Sequence, residues 1–372
     1  FLNIQKNSSL EECQKQYENF KNFKHLLVLG IGGSALGTQS ILQALGKNTH
    51  VTIMDNIDPE EFLKVLDHVD FNNTAINVIS KSGGTLETML QFAVVEKTLK
   101  EKFPNDYQKR IICTTGKESL LDNYAKKEGY QTLPVPENVG GRFSVLTAVG
   151  IFPMMFAGVD IHNLLKGAQD VSSSILTAKK SNLDKNLEQI LELVHIQYSS
   201  YIEEKRNICA LMSYQKKLMG LLDWHRQLLA ESLGKSKSIG ITPVLAFGST
   251  DQHSQIQLYT EGPQDKLIFF LSSDITQTDN TYQTLGMNKK ISLFQTQEAL
   301  FEGTKKGIKK FHSPFMELFL NKVDEHEIGK FFTIMMLQIA TLGELLNINT
   351  YNQPGVEEGK IQAKKILEKI ST

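Results

Sequence analysis

The chain has 372 residues, 41% of them hydrophobic, enough to bury sizeable cores and to form about two domains. Lys and Arg number 40 against 41 Asp and Glu, a net charge of −1, so the basic excess expected of a nucleic-acid or membrane-surface binder is absent and neither partner is expected. The cysteines Cys13, Cys113 and Cys209 stand far apart without a CxxC pair, which argues against a disulfide framework or a zinc site and for a reducing, cytoplasmic compartment.

The opening FLNIQKNSS lacks the charged-then-apolar pattern of a signal peptide, and a start at Phe1 suggests an incomplete N-terminus. The first strand is HLLVLG, His25 to Gly30, followed by a Gly-rich turn and a helix through Gln43. A second strand, HVTIMD, ends at Asp55, and a helix starts at Pro59 with Glu60 and Glu61 in its first turn. A third strand, Ala75 to Ser80, leads into a second Gly-containing loop and a helix from about Thr85; a fourth spans Arg110 to Thr115. Short apolar strands alternating with helices mean βαβ units and a parallel sheet.

From Val145 to about Glu231 the pattern reads as mostly helical. Strands return at Ile241 to Gly248 and Lys266 to Ser273. Two helices close the chain, Glu325 to Leu346 and Val356 to Ile370; the apolar run Phe331 to Leu342 contains Gln338, is too short to span a bilayer and reads as a buried helix. The βαβ theme thus occurs twice, with a boundary near 165–190, drawn here as 1–170 and 171–372. SSSILTAKKSN in that interval serves equally as a link or as helix ends.

Three loops suit a ligand. Gly30-Ile31-Gly32-Gly33-Ser34-Ala35 fits the GxGxx[GA] dinucleotide fingerprint, with Asp55 where a ribose-binding acid would lie, but it equally suits any anion at a strand–helix turn. Ser80-Lys81-Ser82-Gly83-Gly84-Thr85 offers hydroxyls, free N–H groups, a helix start and one cation to a phosphate, without Walker A spacing; Glu87 follows in the same helix. Glu137-Asn138-Val139-Gly140-Gly141-Arg142-Phe143-Ser144 holds an arginine in a glycine turn, fit to steady an oxyanion.

Acid–base candidates follow. Gln227 and Glu231 share a helix face, with Trp224 on or near it and Gly234 as the C-cap. His253 lies in a polar loop after a strand, and Lys360 follows QPGVEEG. The His, Asp and Glu residues show no metal-ligand spacing, so neither metal nor other cofactor is expected.

ENVGGRFSVLTAVG (Glu137 to Gly150) and GELLNINTYNQPGVEEGK (Gly343 to Lys360) are similar to the two signatures of the glucose-6-phosphate isomerase family. GIGGSALG, SKSGGTLET, AESLGK and GSTDQHS stand in that family's order, and the resemblance runs from about Lys24 to Lys365, in a compact, bacterial-type form. The resemblance implies an α/β fold of two sugar-isomerase domains, each a doubly wound parallel-sheet αβα sandwich. It implies a cytoplasmic homodimer with a shared active site, acting on a hexose 6-phosphate in glycolysis and gluconeogenesis. It also moves the first loop from a dinucleotide to a sugar phosphate: Gly33 and Ser34 would line the sugar site, and Ser80, Lys81, Ser82 and Thr85 would bind the 6-phosphate. Glu231 would be the base between C1 and C2, Arg142 would steady a cis-enediolate, and His253, from a neighbouring subunit, would open the ring with Lys360. Gln227, Gln353 and Glu87 would be sugar or supporting contacts.

Overall fold

A computed structural model describes residues 9–47, 49–177, 184–275, 279–286 and 288–370. After helix α1 (Ser9–Phe20) come β1 (His25–Leu29), α2 (Leu36–Leu45), β2 (Val51–Met54), α3 (Pro59–His68), β3 (Thr74–Ile79), α4 (Leu86–Lys102), β4 (Ile111–Thr115), α5 (Leu120–Glu128) and β5 (Gln131–Pro134). The five strands form one parallel sheet in the order β2-β1-β3-β4-β5. The helix expected after Pro59 starts there, with the Asp58 carboxylate accepting from the Glu60 and Glu61 N–H groups.

Helices α6 (Ala148–Phe156), α7 (Ile161–Leu176) and α8 (Lys185–Ile202) link this sheet to a second parallel sheet. That part comprises β6 (Ile208–Ser213), α9 (Met219–Leu233), β7 (Thr242–Phe247), α10 (Gln255–Glu261), β8 (Lys266–Ser273), the short pair β9 (Tyr282–Gln283) and β10 (Lys290–Ile291), α11 (Leu293–Lys310) and β11 (Phe315–Leu320). Its order is β11-β8-β6-β7. The chain ends in α12 (Glu325–Leu345) and α13 (Glu357–Ile370). The helical reading of Val145 to Glu231 is corrected here: β6 interrupts it and is an inner strand of the second sheet. A six-residue run buried on both faces has no alternation to separate it from buried helix. The strands β5 and β11 were also unread in the sequence. Of the SSSILTAKKSN link, α7 takes the part up to Leu176, and residues 178–183 lie outside the described residues.

Side chains alternate between faces of β1. Leu27 and Leu29 join an outer cluster with Phe62, Phe92 and Val95, while Leu26 and Val28 face an inner one. The inner cluster also holds Leu211 and Phe269 of the second sheet and Trp224, Phe331 and Phe332 of α9 and α12, so one apolar interior runs between the sheets. Helix α12 is long and apolar enough by composition alone to cross a membrane, but 72% of its apolar window is buried here, against α7, α8 and α9. Its Gln338 donates to Gln197 of α8 at 2.7 Å. Trp224 lies 4.1 Å, ring to ring, from Phe332 and is a core residue rather than part of a site face.

Helices α7 and α12 meet backbone to backbone. A Cβ on Gly167 would lie 1.9 Å from the His326 carbonyl oxygen, and one on Gly329 would lie 2.0 Å from that of Leu164. Alanine normally favours a helix by roughly 1 kcal/mol over glycine. Overpacking costs about 1–3 kcal/mol, and no rotamer relieves a clash with backbone. A 2.0 Å approach to a backbone oxygen stands at the upper end of that cost, so Gly329→Ala is expected to lower the urea midpoint by the equivalent of about 2 kcal/mol net of the helix gain; a midpoint at or above that of the unchanged chain refutes the crossing.

His225 of α9 is fully buried against Phe269, 5.6 Å ring to ring, and neither ring nitrogen has a hydrogen-bond partner. Burial pushes its imidazole pKa down to about 3. The unfolded value is about 6.5, so His225 contributes stability above that pH and loses it progressively as pH falls toward 3. His225→Phe should flatten the acid decline of the urea midpoint between about pH 6.5 and 4. An unchanged pH slope counts against this.

Candidate active site

From β1 the chain crosses to β2 on one side, and from β3 to β4 on the other, so the strand order reverses between β1 and β3. A crevice beyond the carboxyl ends of the strands at such a point is where open α/β sheets bind ligands. The Gly30–Ala35 turn and the Ser80–Thr85 loop both open there.

The first turn is covered by the protein itself. Gly32 holds φ +58, and a Cβ there would lie 3.2 Å from Gln227 Nε2. A Cβ on Gly33 would lie 2.3 Å from the Gly141 carbonyl carbon and 2.6 Å from the Arg142 nitrogen. The glycines thus admit the Gly140–Arg142 turn and α9, and the room the fingerprint would keep for a pyrophosphate is occupied.

The neighbouring turn carries Arg142, whose side chain is fully buried. Its Nη1 donates to Glu231 Oε2 at 3.0 Å and to Gln353 Oε1 at 2.8 Å, and its Nε donates to Ser232 Oγ at 2.8 Å. Its Nη2 donates to the Thr350 carbonyl and, at 3.2 Å, to that of Asn352. Gln227 Nε2 donates to Glu231 Oε1 at 2.9 Å, as the four-residue spacing on α9 allows. Burial pulls the Arg142 pKa down and the Glu231 carboxylate partly restores it; a guanidinium stays charged in either case.

In the second loop, Ser80 Oγ lies 3.0 Å from Thr85 Oγ1 and accepts from the Gly83 N–H, and Ser82 Oγ accepts from the Gly84 N–H, so these hydroxyls order the loop at the start of α4. Lys81 Nζ donates to the Glu137 carbonyl at 2.7 Å and the Val139 carbonyl at 2.9 Å. That lysine therefore ties the loop to the strap leading into Arg142, with one N–H left over. Burial is the larger influence on its pKa and moves it down.

Of the residues expected at the site, Gly33, Arg142, Gln227, Glu231 and Gln353 stand in one contact network, and Ser80, Lys81, Ser82 and Thr85 adjoin it through Lys81. Ser34 closes the first turn, its N–H bonded to the Ile31 carbonyl. Glu87 is partly exposed in the first turn of α4. His253 and Lys360 are not brought in: His253 is exposed in the short turn after β7, and Lys360 is exposed on α13, paired with Glu357 at 2.9 Å. No residue of α13 is buried. Ser232, Thr350, Asn352 and Lys235 went unread. Ser232 and Lys235 lie inside AESLGK, but the other two act through carbonyls, which side-chain type cannot signal. Among the described residues no group of three His, Cys, Asp or Glu is placed to hold a metal.

The phosphoglucose isomerase family model matches residues 8–372. A glucose-6-phosphate isomerase from Methanocaldococcus jannaschii is 36% identical, with 94% of this chain and 86% of that protein aligned. A solved structure from Thermus thermophilus, described as a hypothetical protein, superposes with a TM-score of 0.85 at 33% identity, over 96% of this chain and 87% of that one. A glucose-6-phosphate isomerase from Chlamydia trachomatis shares the fold, with a TM-score of 0.83 at 23% identity over 98% and 73% of the two chains. The chain belongs to the phosphoglucose isomerase family.

Proposed function

We propose that this protein interconverts glucose 6-phosphate and fructose 6-phosphate through ring opening and a cis-enediol, as a step of glycolysis and gluconeogenesis. The observation that carries the reading is the Arg142–Glu231 pair, set between a glycine turn and a loop suited to a sugar phosphate. In this reading Ser80, Lys81, Ser82 and Thr85 hold the 6-phosphate, and Gly33, Ser34, Gln227 and Gln353 line the sugar. Glu231 takes the proton from C2 and the C–H electrons become the C1–C2 double bond, leaving negative charge on O1. Arg142 meets that charge where it develops, already desolvated and fixed. A proton passes from O2 to O1, and Glu231 delivers its proton to C1, so that the carbonyl ends on C2. A held carboxylate lowers the entropic part of the barrier.

His253 and Lys360 are proposed to open the ring, with Glu87 as a supporting contact. Both lie outside the Arg142 network, which supports a homodimer in which a second copy completes the site. The exposed apolar residues Ile361, Ile366, Leu367 and Ile370 of α13 fit the same view. The division into domains at 170/171 and a cytoplasmic location belong to this proposal; the three cysteines are free and buried.

The test is to add EDTA-treated protein to fructose 6-phosphate and follow glucose 6-phosphate through a coupling dehydrogenase. Rapid product is expected, and a folded dimer that forms none refutes the isomerase. Glu231→Gln should lower kcat by about 10²–10⁴-fold while sugar-phosphate binding persists; near-normal turnover removes Glu231 as the base. Lys81→Ala should weaken substrate binding, and unchanged affinity for a sugar 6-phosphate removes it from the phosphate site.

A further inference from the structure

Helix α9 ends two residues beyond Glu231, at Leu233. The last four carbonyls of a helix have no partner within it. Here the Gly234 N–H serves the Ala230 carbonyl, but the Lys235 N–H turns to Leu233 at 2.9 Å. The Glu231 carbonyl is taken instead by the Lys235 ammonium at 2.6 Å, a cation at the negative end of the helix. The same ammonium donates to the carbonyl of Asn352, 117 residues further on. That oxygen also accepts from Arg142 Nη2. Two cations thus bracket one carbonyl, and the next residue, Gln353, has its side-chain oxygen on Arg142 at 2.8 Å.

We propose that Lys235 is a positioning residue for the isomerisation: by clamping the Glu231 and Asn352 carbonyls together, it holds the Thr350–Gln353 segment against α9 and fixes Arg142 and Gln353 relative to the Glu231 carboxylate. Without it, the hydrogen bonds tying Asn352 and Gln353 to the rest of the site are those to Arg142, beside the packing of Tyr351 on Phe143 at 5.6 Å, so looser motion of the segment is passed to the guanidinium. Lys235 is partly buried, and burial followed by the Arg142 charge lowers its pKa while Glu231 raises it, as expected for an ammonium inside this cluster. A side chain without donors cannot replace it, because two carbonyls must be met at once. Arginine can, through its several N–H groups.

The kinetic part of this inference rests on the isomerase reading, and the structural part does not. Lys235→Met keeps the apolar stem and removes the donors; Lys235→Arg keeps charge and donors. For Lys235→Met, kcat on fructose 6-phosphate should fall by on the order of tenfold, since misplacements of about 1 Å can cost up to about 10²-fold. KM should move less than about threefold, because the phosphate loop is untouched. Lys235→Arg should recover most of kcat. Hydrogen exchange over residues 349–353, measured without substrate, should quicken in Lys235→Met and return toward the unchanged rate in Lys235→Arg. Unchanged exchange overturns the clamp. Faster exchange with unchanged kcat overturns the positioning role. Parallel losses of kcat, KM and thermal midpoint without rescue by arginine reduce Lys235 to a stabilising contact and overturn it as well. If the unmodified protein does not isomerise fructose 6-phosphate, the isomerase reading fails and the exchange measurement alone decides the clamp.

Discussion

The structure depends on finding partners for one buried cation. A guanidinium carries five N–H donors in a planar fork and no acceptor. Removing it from water costs several kcal/mol, recovered only when geometry and hydrogen bonds are complete. For Arg142 the five bonds go to Ser232, Glu231, Gln353, Thr350 and Asn352. Those partners come from α9 and from the segment between α12 and α13, while the arginine itself follows the first sheet. Satisfying one side chain therefore fixes three distant stretches of chain against each other. Lysine could not do the same, because its three donors radiate from one point.

The same arrangement bears on the chemistry. In the free protein, Arg142 and Glu231 neutralise each other, and Gln227 occupies the second oxygen of the carboxylate. In the proposed reaction, charge developing on a bound oxygen would compete with Glu231 for the guanidinium, which is already dry and held by its other bonds. Pre-organisation of this kind costs nothing at the moment of reaction. Lys81 extends the rigidity sideways, since its bonds to Glu137 and Val139 hold the strap before Arg142 to the loop beside β3.

Much of this was legible in the sequence, for physical reasons that differ by element. The strands β1 to β4 stood out because each is short, apolar and bounded by turn residues. The strand β6 did not, because ICALMS is buried on both faces and has no period of two to read. The pairing of Gln227 with Glu231 followed from helix geometry alone. That Arg142 would meet them across 89 residues did not; the ordered motifs of the family carried that expectation. The carbonyls of Thr350 and Asn352 were beyond reach, since any residue type supplies a carbonyl. The placement of His253 and Lys360 shows a different limit: a residue's chemistry can be read from its type and motif, but not whether its own chain brings it to the site.

The long separations in the Arg142 network also set an order in time. The Thr350 carbonyl comes 208 residues after the guanidinium it satisfies. At synthesis rates of roughly 5–20 residues per second, that is a wait of about 10–40 s. Over that interval the first sheet can already be complete. Arg142 can by then have met Ser232 and Glu231 of α9, but its bonds to Thr350, Asn352 and Gln353 are still missing, and α7 has no α12 to cover its Gly167 face. A growing chain therefore passes through a long-lived half-built state, with an open apolar surface and a partly satisfied guanidinium, until α12 and the segment after it emerge. Completion of the interior and completion of the Arg142 network thus both wait for α12 and the segment that follows it, so a fragment lacking the final two helices would be deficient in both.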